Sequence, residues 1–150
     1  RIGFAAAPAE FSKKMSAFMS QTTSNPTSTS QWASLAGLES SRDFMNEWRK
    51  AYEERRNHLV AGLRSIPGLE CRMPEGAFYV FPDVRELIKR AGLEEGQDLP
   101  LASRLLEEAH VAVVPGTPFS APGHIRMSYA TSLDDIEKAL ERFRTWVSKL

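Results

Sequence analysis

The chain has 150 residues, 42% of them hydrophobic, enough for one globular domain with a real core or for one domain plus a piece of another. Nineteen basic and nineteen acidic residues cancel, so no basic field argues for nucleic acid or an anionic membrane surface as a partner. The single cysteine, Cys71, cannot close an internal disulfide, and no apolar run approaches the ~20 residues that cross a bilayer; the expected setting is a reducing cytoplasm. The first residue is arginine with no leader pattern behind it, and the chain is expected to be a piece of something longer.

In chain order, "RIGFAAAP" is apolar and small without polar alternation, the pattern of a short buried strand. From Pro8 a helix is predicted, with Glu10 in its first turn and Phe11, Met15, Phe18 and Met19 forming one core stripe. "QTTSNPTSTS", Gln21 to Ser30, is made almost wholly of Ser, Thr, Asn and Pro, and Asn25-Pro26 disfavours helix, so a loop is expected. Trp32, Leu35, Ala36 and Leu38 restart a helical period. A longer helix runs from about Arg42 to Ile66, with Phe44, Trp48, Tyr52, Leu59, Leu63 and Ile66 on one side and the mixed charges of "EERR", Glu53 to Arg56, on a solvated face. At ~1.5 Å per residue it reaches ~35 Å, long enough to link two domains.

Pro67-Gly68 stops that helix, and "LECRM", "PEG" and "AFYVFP" read as a hairpin. "DVRELIKRA" is a helix with Asp83 as N-cap, "GLEEGQDL" a loop, and "PLASRLLEEAH" a helix with proline near its start. Val111 to Val114 reads as a buried strand, followed by a Pro/Gly-rich loop. In "GHIRMSYATS" a strand would turn His124, Arg126 and Ser128 to one face and Ile125, Met127 and Tyr129 to the other. The last segment is a helix with a Ser132/Asp135 capping box and a packed stripe of Ile136, Leu140, Phe143 and Val147. From about residue 50 onward the pattern is α+β, a mixed sheet covered by helices.

Arg126 is the residue that asks for an explanation. On an edge strand it would lie in solvent and make a weak surface ion pair. Partly enclosed, it would be an anion receptor, because its planar fork fits a carboxylate through two parallel hydrogen bonds and keeps its charge at any ordinary pH. Other chemistries find less support. His58, His110, His124 and Cys71 lack metal-ligand spacings, so no metal site is expected, and no G-x-S-x-G turn occurs. Glu94-Glu95 and Asp134-Asp135 are explained by solvation and helix-dipole capping.

Five stretches, "RIG", "SNPTS", "PEGAFYVF", "VVPGTPF" and "HIRMSYA", stand in one order along the chain. Together they resemble the C-terminal portion of the pyridoxal-phosphate-dependent class I aminotransferases, especially the bacterial aspartate aminotransferase group, over essentially the whole chain. The resemblance implies an α/β two-domain enzyme, with residues 1–40 ending the large cofactor-binding domain, 41–66 a long interdomain helix, and 67–150 a small α+β C-terminal domain. It implies transfer of an amino group between an amino acid, aspartate or a similar one, and a 2-oxo acid through pyridoxal 5'-phosphate. It also implies a homodimer, with "SNPTS" near the subunit interface; from the balanced charge, no nucleic-acid or membrane partner is expected.

Residue by residue, Arg1 matches the arginine that binds the cofactor phosphate, Arg126 the one that clamps the substrate α-carboxylate, and Phe78 a ring bordering the substrate pocket. In the family the lysine that holds the cofactor, the aspartate beneath its pyridine nitrogen and a nearby tyrosine all precede the position of Arg1. None of them is in this chain, and its own lysines read as exposed helix positions. This fragment alone is therefore expected to be inactive yet substantially folded, with the Met15, Phe18 and Met19 face left open. Alternatives within the resemblance are a related carbon–sulfur lyase, an aromatic transaminase, and the aminotransferase-like domain of a transcription regulator; a bare interaction module is a further one. Given the resemblance, the receptor reading of Arg126 is preferred over the edge-strand reading.

Overall fold

The computed structural model describes residues 2–150 and forms two compact units, Arg1–Phe44 and Met45–Leu150, with Arg1 itself outside the described residues. In the first unit, residues 2–7 are exposed and form no strand, contrary to the expectation for "RIGFAAAP". A strand needs a neighbour to take its N–H and C=O groups, and none pairs with this segment among the described residues. Helix α1, Ala9–Thr22, starts directly after Pro8, whose fixed φ leads into it. The predicted stripe is helical but is not a core of this unit, since Phe11, Met15, Phe18 and Met19 are 63%, 47%, 69% and 44% exposed.

Helix α2, Ser28–Glu39, and the end of α1 both encroach on the predicted loop, which shrinks to residues 23–27. Hydroxyls explain this. Thr22 Oγ1 donates to the Phe18 carbonyl at 3.1 Å, and Thr27 Oγ1 accepts from the Ser30 amide at 3.3 Å as an N-cap.

The second unit contains nearly all of helix α3, Asp43–Arg64, followed by α4, Arg85–Arg90, α5, Asp98–Ala109, and α6, Leu133–Val147. They pack with a three-stranded sheet of β1, Tyr79–Val80, β2, Val114–Pro115, and β3, Ile125–Ser128, in the order β1-β3-β2. Both pairings are antiparallel, so the sheet is not mixed as expected. Leu59, Leu63 and Ile66 carry the α3 stripe into the core, joined by Val80, Ile125, Met127 and Tyr129 from the sheet segments. Phe44 and Trp48, at the other end of that stripe, are exposed. Among the described residues no helix is long and apolar enough to cross a membrane.

Three local expectations change. The hairpin arms meet only at the Glu70–Asp83 bridge, while Tyr79 and Val80 pair with Ser128 and Met127. Pro74 brings no N–H to a ladder, and β3 offers Val80 a buried partner instead. The buried strand expected over Val111–Val114 is reduced to Val114–Pro115, because Val111 still belongs to the end of α5: His110 is left-handed at φ 55° and the Val111 amide donates to the Leu105 carbonyl. Val84, not Asp83, holds the N-cap position of α4, although Asp83 Oδ1 does accept from the Arg85 amide at 2.9 Å.

Helix α6 follows its sequence signals closely. Ser132 Oγ accepts from the Asp135 amide at 3.1 Å, the Asp135 carboxylate accepts from the hydroxyls of Ser132 and Thr131, and Ile136, Leu140, Phe143 and Val147 are buried. α6 lies so close to α3 that a Cβ on Gly62 would come within 2.3 Å of Leu140 Cδ1. Leu140 is itself enclosed and has little room to retreat. Gly62→Ala gains helix propensity worth ~1 kcal/mol but overpacks this contact by ~1–3 kcal/mol, so the expected result is net destabilisation. Urea melts of the chain would check it, and a raised midpoint would show that the α3–α6 contact has room for the added methyl group.

Candidate functional site

β3 is the middle strand of its sheet, which excludes the edge-strand reading of Arg126. Its alternation is as expected: Ile125, Met127 and Tyr129 are buried, His124 and Arg126 half-buried, and Ser128 exposed. Register then determines what surrounds the guanidinium. Tyr79 stands opposite Ser128 on β1 and Val114 opposite Arg126 on β2, so these residues share the outer face. The Tyr79 ring lies 4.5 Å from the Arg126 guanidinium carbon, and the Phe119 ring, from the loop after β2, lies at the same 4.5 Å.

These contacts hold the cation without neutralising it. Each ring face attracts the guanidinium by ~0.5–2 kcal/mol while leaving its N–H edge unspent. Among the described residues no carboxylate or carbonyl accepts from the Arg126 side chain. Other arginines of this unit are committed: Arg64 donates to the Cys71 carbonyl, Arg85 to Asp83, Arg90 to the carbonyls of Pro67 and Val147, and Arg104 to Glu108 and the Ala91 carbonyl. The arrangement is a charged fork, held on a central strand between two rings, with its hydrogen-bonding capacity free for an anion.

The aromatic surface continues on both sides. Phe119 meets Phe81 edge-on at 6.3 Å, and Phe81 stacks on His124 at 5.3 Å and 9°. Phe78, 40% exposed, touches the Tyr79 ring at 4.4 Å and is thereby one ring removed from Arg126. It follows Ala77, which is left-handed at φ 59°, a conformation that costs a residue with a Cβ about 1 kcal/mol or more. Two bonds from one residue hold this turn: Tyr129 Oη donates to the Ala77 carbonyl at 3.0 Å and the Tyr129 amide to the Phe78 carbonyl at 2.9 Å. Burial pushes the Tyr129 phenol up, keeping it a donor. The third expected site residue, Arg1, lies outside the described residues.

Sequence reading names neither Tyr79 nor Phe119 beside Arg126. Tyr79 was accessible in principle, since Tyr79 and Phe81 alternate with buried Val80 in "YVF". Phe119 was not, because only folding of the loop brings it back over β3. That loop is tied down by Asp98 at the start of α5, which is fully buried and accepts from the Thr117 amide at 2.7 Å and the Thr117 hydroxyl at 2.5 Å. Burial raises the Asp98 pKa, but hydrogen bonds from the Thr117 hydroxyl and from the amides of Thr117, Asp98 and Gly116 outweigh it and leave the carboxyl below its ordinary value.

Comparisons with known proteins show the family to which the chain belongs. The sequence profile of the family described as "Aminotransferase class I and II" matches residues 1–143. An aspartate aminotransferase of Bacillus subtilis is 43% identical over 149 residues, covering 99% of this chain and 37% of the relative. An aspartate/prephenate aminotransferase of Thermus thermophilus is 46% identical over 146 residues, covering 95% of this chain and 36% of the relative. Among solved structures, the aspartate aminotransferase of Rhizobium meliloti superposes with a TM-score of 0.85 at 40% identity, over 97% of this chain and 37% of that one. The chain belongs to the class I and II aminotransferase family, and it spans a little over a third of the length of these relatives.

The carboxylates of this unit make a prediction about pH. Asp98, Asp83, held low chiefly by Arg85, and Asp135, held low chiefly by Ser132, are all easier to deprotonate folded than unfolded. Their contribution is fully present above the unfolded carboxylate value of about 4 and is lost as pH falls through the lower folded values. Urea midpoints should be flat from neutral pH down to about 5 and fall steeply below about 4. Asp98→Asn should lower the neutral-pH midpoint and flatten the acid limb; an unchanged limb would show that Asp98 does not contribute to it.

Proposed function

We propose that this chain supplies the substrate-carboxylate end of an aminotransferase active site, with Arg126 binding the α-carboxylate of an amino acid or 2-oxo acid. The observation that carries the reading is the uncommitted Arg126 fork, flanked by Tyr79 and Phe119 on the central strand of a chain that belongs to this family. A carboxylate taking two parallel hydrogen bonds from that fork is fixed in plane as well as in place. This orients the Cα substituents, which a reaction at Cα requires. A strand is a rigid mount for such a group, and the Phe78 ring, set by the Ala77 turn, would border the same pocket.

Pyridoxal 5'-phosphate, the cofactor the family implies, would supply the electron sink. The described residues fit the substrate end of such a site and not its covalent anchor: Lys13, Lys14, Lys50, Lys89, Lys138 and Lys149 are all exposed, so none is a buried amine. Arg1 remains the proposed contact to the cofactor phosphate. We assign residues 1–40 to the end of the large cofactor-binding domain, 41–66 to the interdomain helix and 67–150 to the small domain. The exposed α1 stripe then packs on the rest of the large domain, "SNPTS" lies by the partner subunit of a homodimer, and the chain alone has no turnover. Aspartate or a similar amino acid is the proposed substrate, on the strength of the names its relatives carry, and a reducing, cytoplasmic setting is proposed from the single cysteine.

In the full-length holoenzyme, Arg126→Leu should cut kcat/KM for two unrelated amino acids by at least about thirtyfold, since uncompensated loss of a buried charged hydrogen bond costs ~2–5 kcal/mol. Cofactor retention should survive. Near-normal kcat/KM for both substrates would remove Arg126 from the site.

Arg1→Ala should do the reverse, weakening cofactor retention more than amino-acid recognition because a charge-assisted phosphate contact is lost. Dialysis followed by cofactor absorbance checks it, and unchanged retention would count against the phosphate role.

A further inference from the structure

The ring that covers Arg126 from the β2 side belongs to a loop whose shape is decided some distance away. The three residues Thr117–Phe119 form one turn of 3-10 helix, closed by the Phe119 amide on the Gly116 carbonyl at 2.8 Å, and Ser120 leaves it left-handed at φ 57°. At its base, the Gly116 amide donates to the His124 carbonyl at 2.8 Å. A Cβ on Gly116 would stand 2.2 Å from the Ala121 carbonyl oxygen and 2.8 Å from that of His124, so the loop can lie this close to β3 only with glycine there. These bonds close the loop on itself and on β3. Asp98 ties it to the helical layer, its two carboxylate oxygens taking the Thr117 amide and the Thr117 hydroxyl.

Asp98 is also the first residue of α5, where a negative charge is favoured by the helix dipole, and α5 packs into the core through Leu101 and Leu105. The line of contact runs from α5 through Asp98 and Thr117 to Phe119 and the guanidinium. A buried carboxylate anchored in this way does not drift, and neither does the turn it holds.

We propose that Asp98 is a positioning residue for carboxylate binding: by fixing Thr117 it seats Phe119 against Arg126, so that the guanidinium is held in its binding orientation before substrate arrives. The proposal rests on the reading of Arg126 as the carboxylate receptor. It assigns Asp98 no contact with substrate or cofactor. Loss of the anchor therefore weakens binding of every carboxylate substrate and leaves the chemistry of the bound state largely alone, which is a rise in KM with little change in kcat.

The test uses the full-length holoenzyme with two unrelated amino acids. Asp98→Ala should raise KM for both by roughly tenfold with kcat within about twofold of normal, since two hydrogen bonds to a charged group are lost. Thr117→Val removes one of those bonds at an exposed position and should fold even where Asp98→Ala does not; a KM increase of roughly threefold is expected, reversed in Thr117→Ser, which restores the hydroxyl. Combined with Arg126→Leu, either change should add almost nothing to the loss in kcat/KM, because the group being positioned is gone. Unchanged KM in Thr117→Val, or a full additive loss on top of Arg126→Leu, overturns the role of Asp98 while leaving Arg126 as receptor. Normal kcat/KM in Arg126→Leu alone overturns the receptor reading, and the positioning role falls with it.

Discussion

Strand β3 is paired on both edges, and most of what distinguishes the second unit follows from that constraint. A strand with two neighbours has its register set twice, here by Val80 opposite Met127 and by Pro115 opposite Ile125. A slip of one residue on either side would turn Ile125, Met127 and Tyr129 to the surface, which the core does not permit. The same register sends Arg126 to the outer face and gives it one aromatic neighbour from each side. The position of the charge is thus a by-product of apolar burial on the opposite face, and the stability of that burial is what keeps it there.

How much of this was readable from the sequence depended on how local each cause is. The cap at Ser132 and the stripe from Ile136 to Val147 involve residues three or four apart, and α6 came out as its pattern indicates. The two faces of "HIRMSY" were equally legible, because alternation is a property of one strand. Pairing is not local. Nothing in "AFYVFP" says that its partner is β3 and not "LECRM", and nothing in "VAVV" says that its first residue is still engaged with the end of α5. Asp98 shows the same limit at the site: in the sequence it reads as part of the loop "GLEEGQDL", whereas its decisive partner, Thr117, is nineteen residues on.

The first unit shows a different gap between pattern and structure. Its helices form where spacing and hydroxyl caps indicate, yet none of its described residues is fully buried, and the apolar stripe of α1 faces outward. Periodicity reports that a face is built to be covered; it does not say by what. The chain spans a little over a third of its relatives' length, and under the proposed assignment of residues 1–40 to the end of a larger domain the cover for such a stripe would be the remainder of that domain.

On the proposed reading of Arg126 as a carboxylate receptor, the choice of arginine, and of rings rather than acids beside it, follows from what such a receptor must do. A carboxylate neighbour would steady the guanidinium but would also occupy the donors a substrate needs, and the substrate would have to displace it. Tyr79 and Phe119 steady it through their faces and leave the edge open. A lysine in the same place would keep the charge and lose the fork, so an anion could approach from many directions with little preference among them. Rings also exclude water from the flanks of the cation, which strengthens whatever charge it meets at its edge. Orientation, not attraction alone, is what a reaction at the adjacent carbon demands, and it depends on how firmly both rings are held: Tyr79 by the ladder with β3, Phe119 by a loop that the carboxylate of Asp98 ties to the helices.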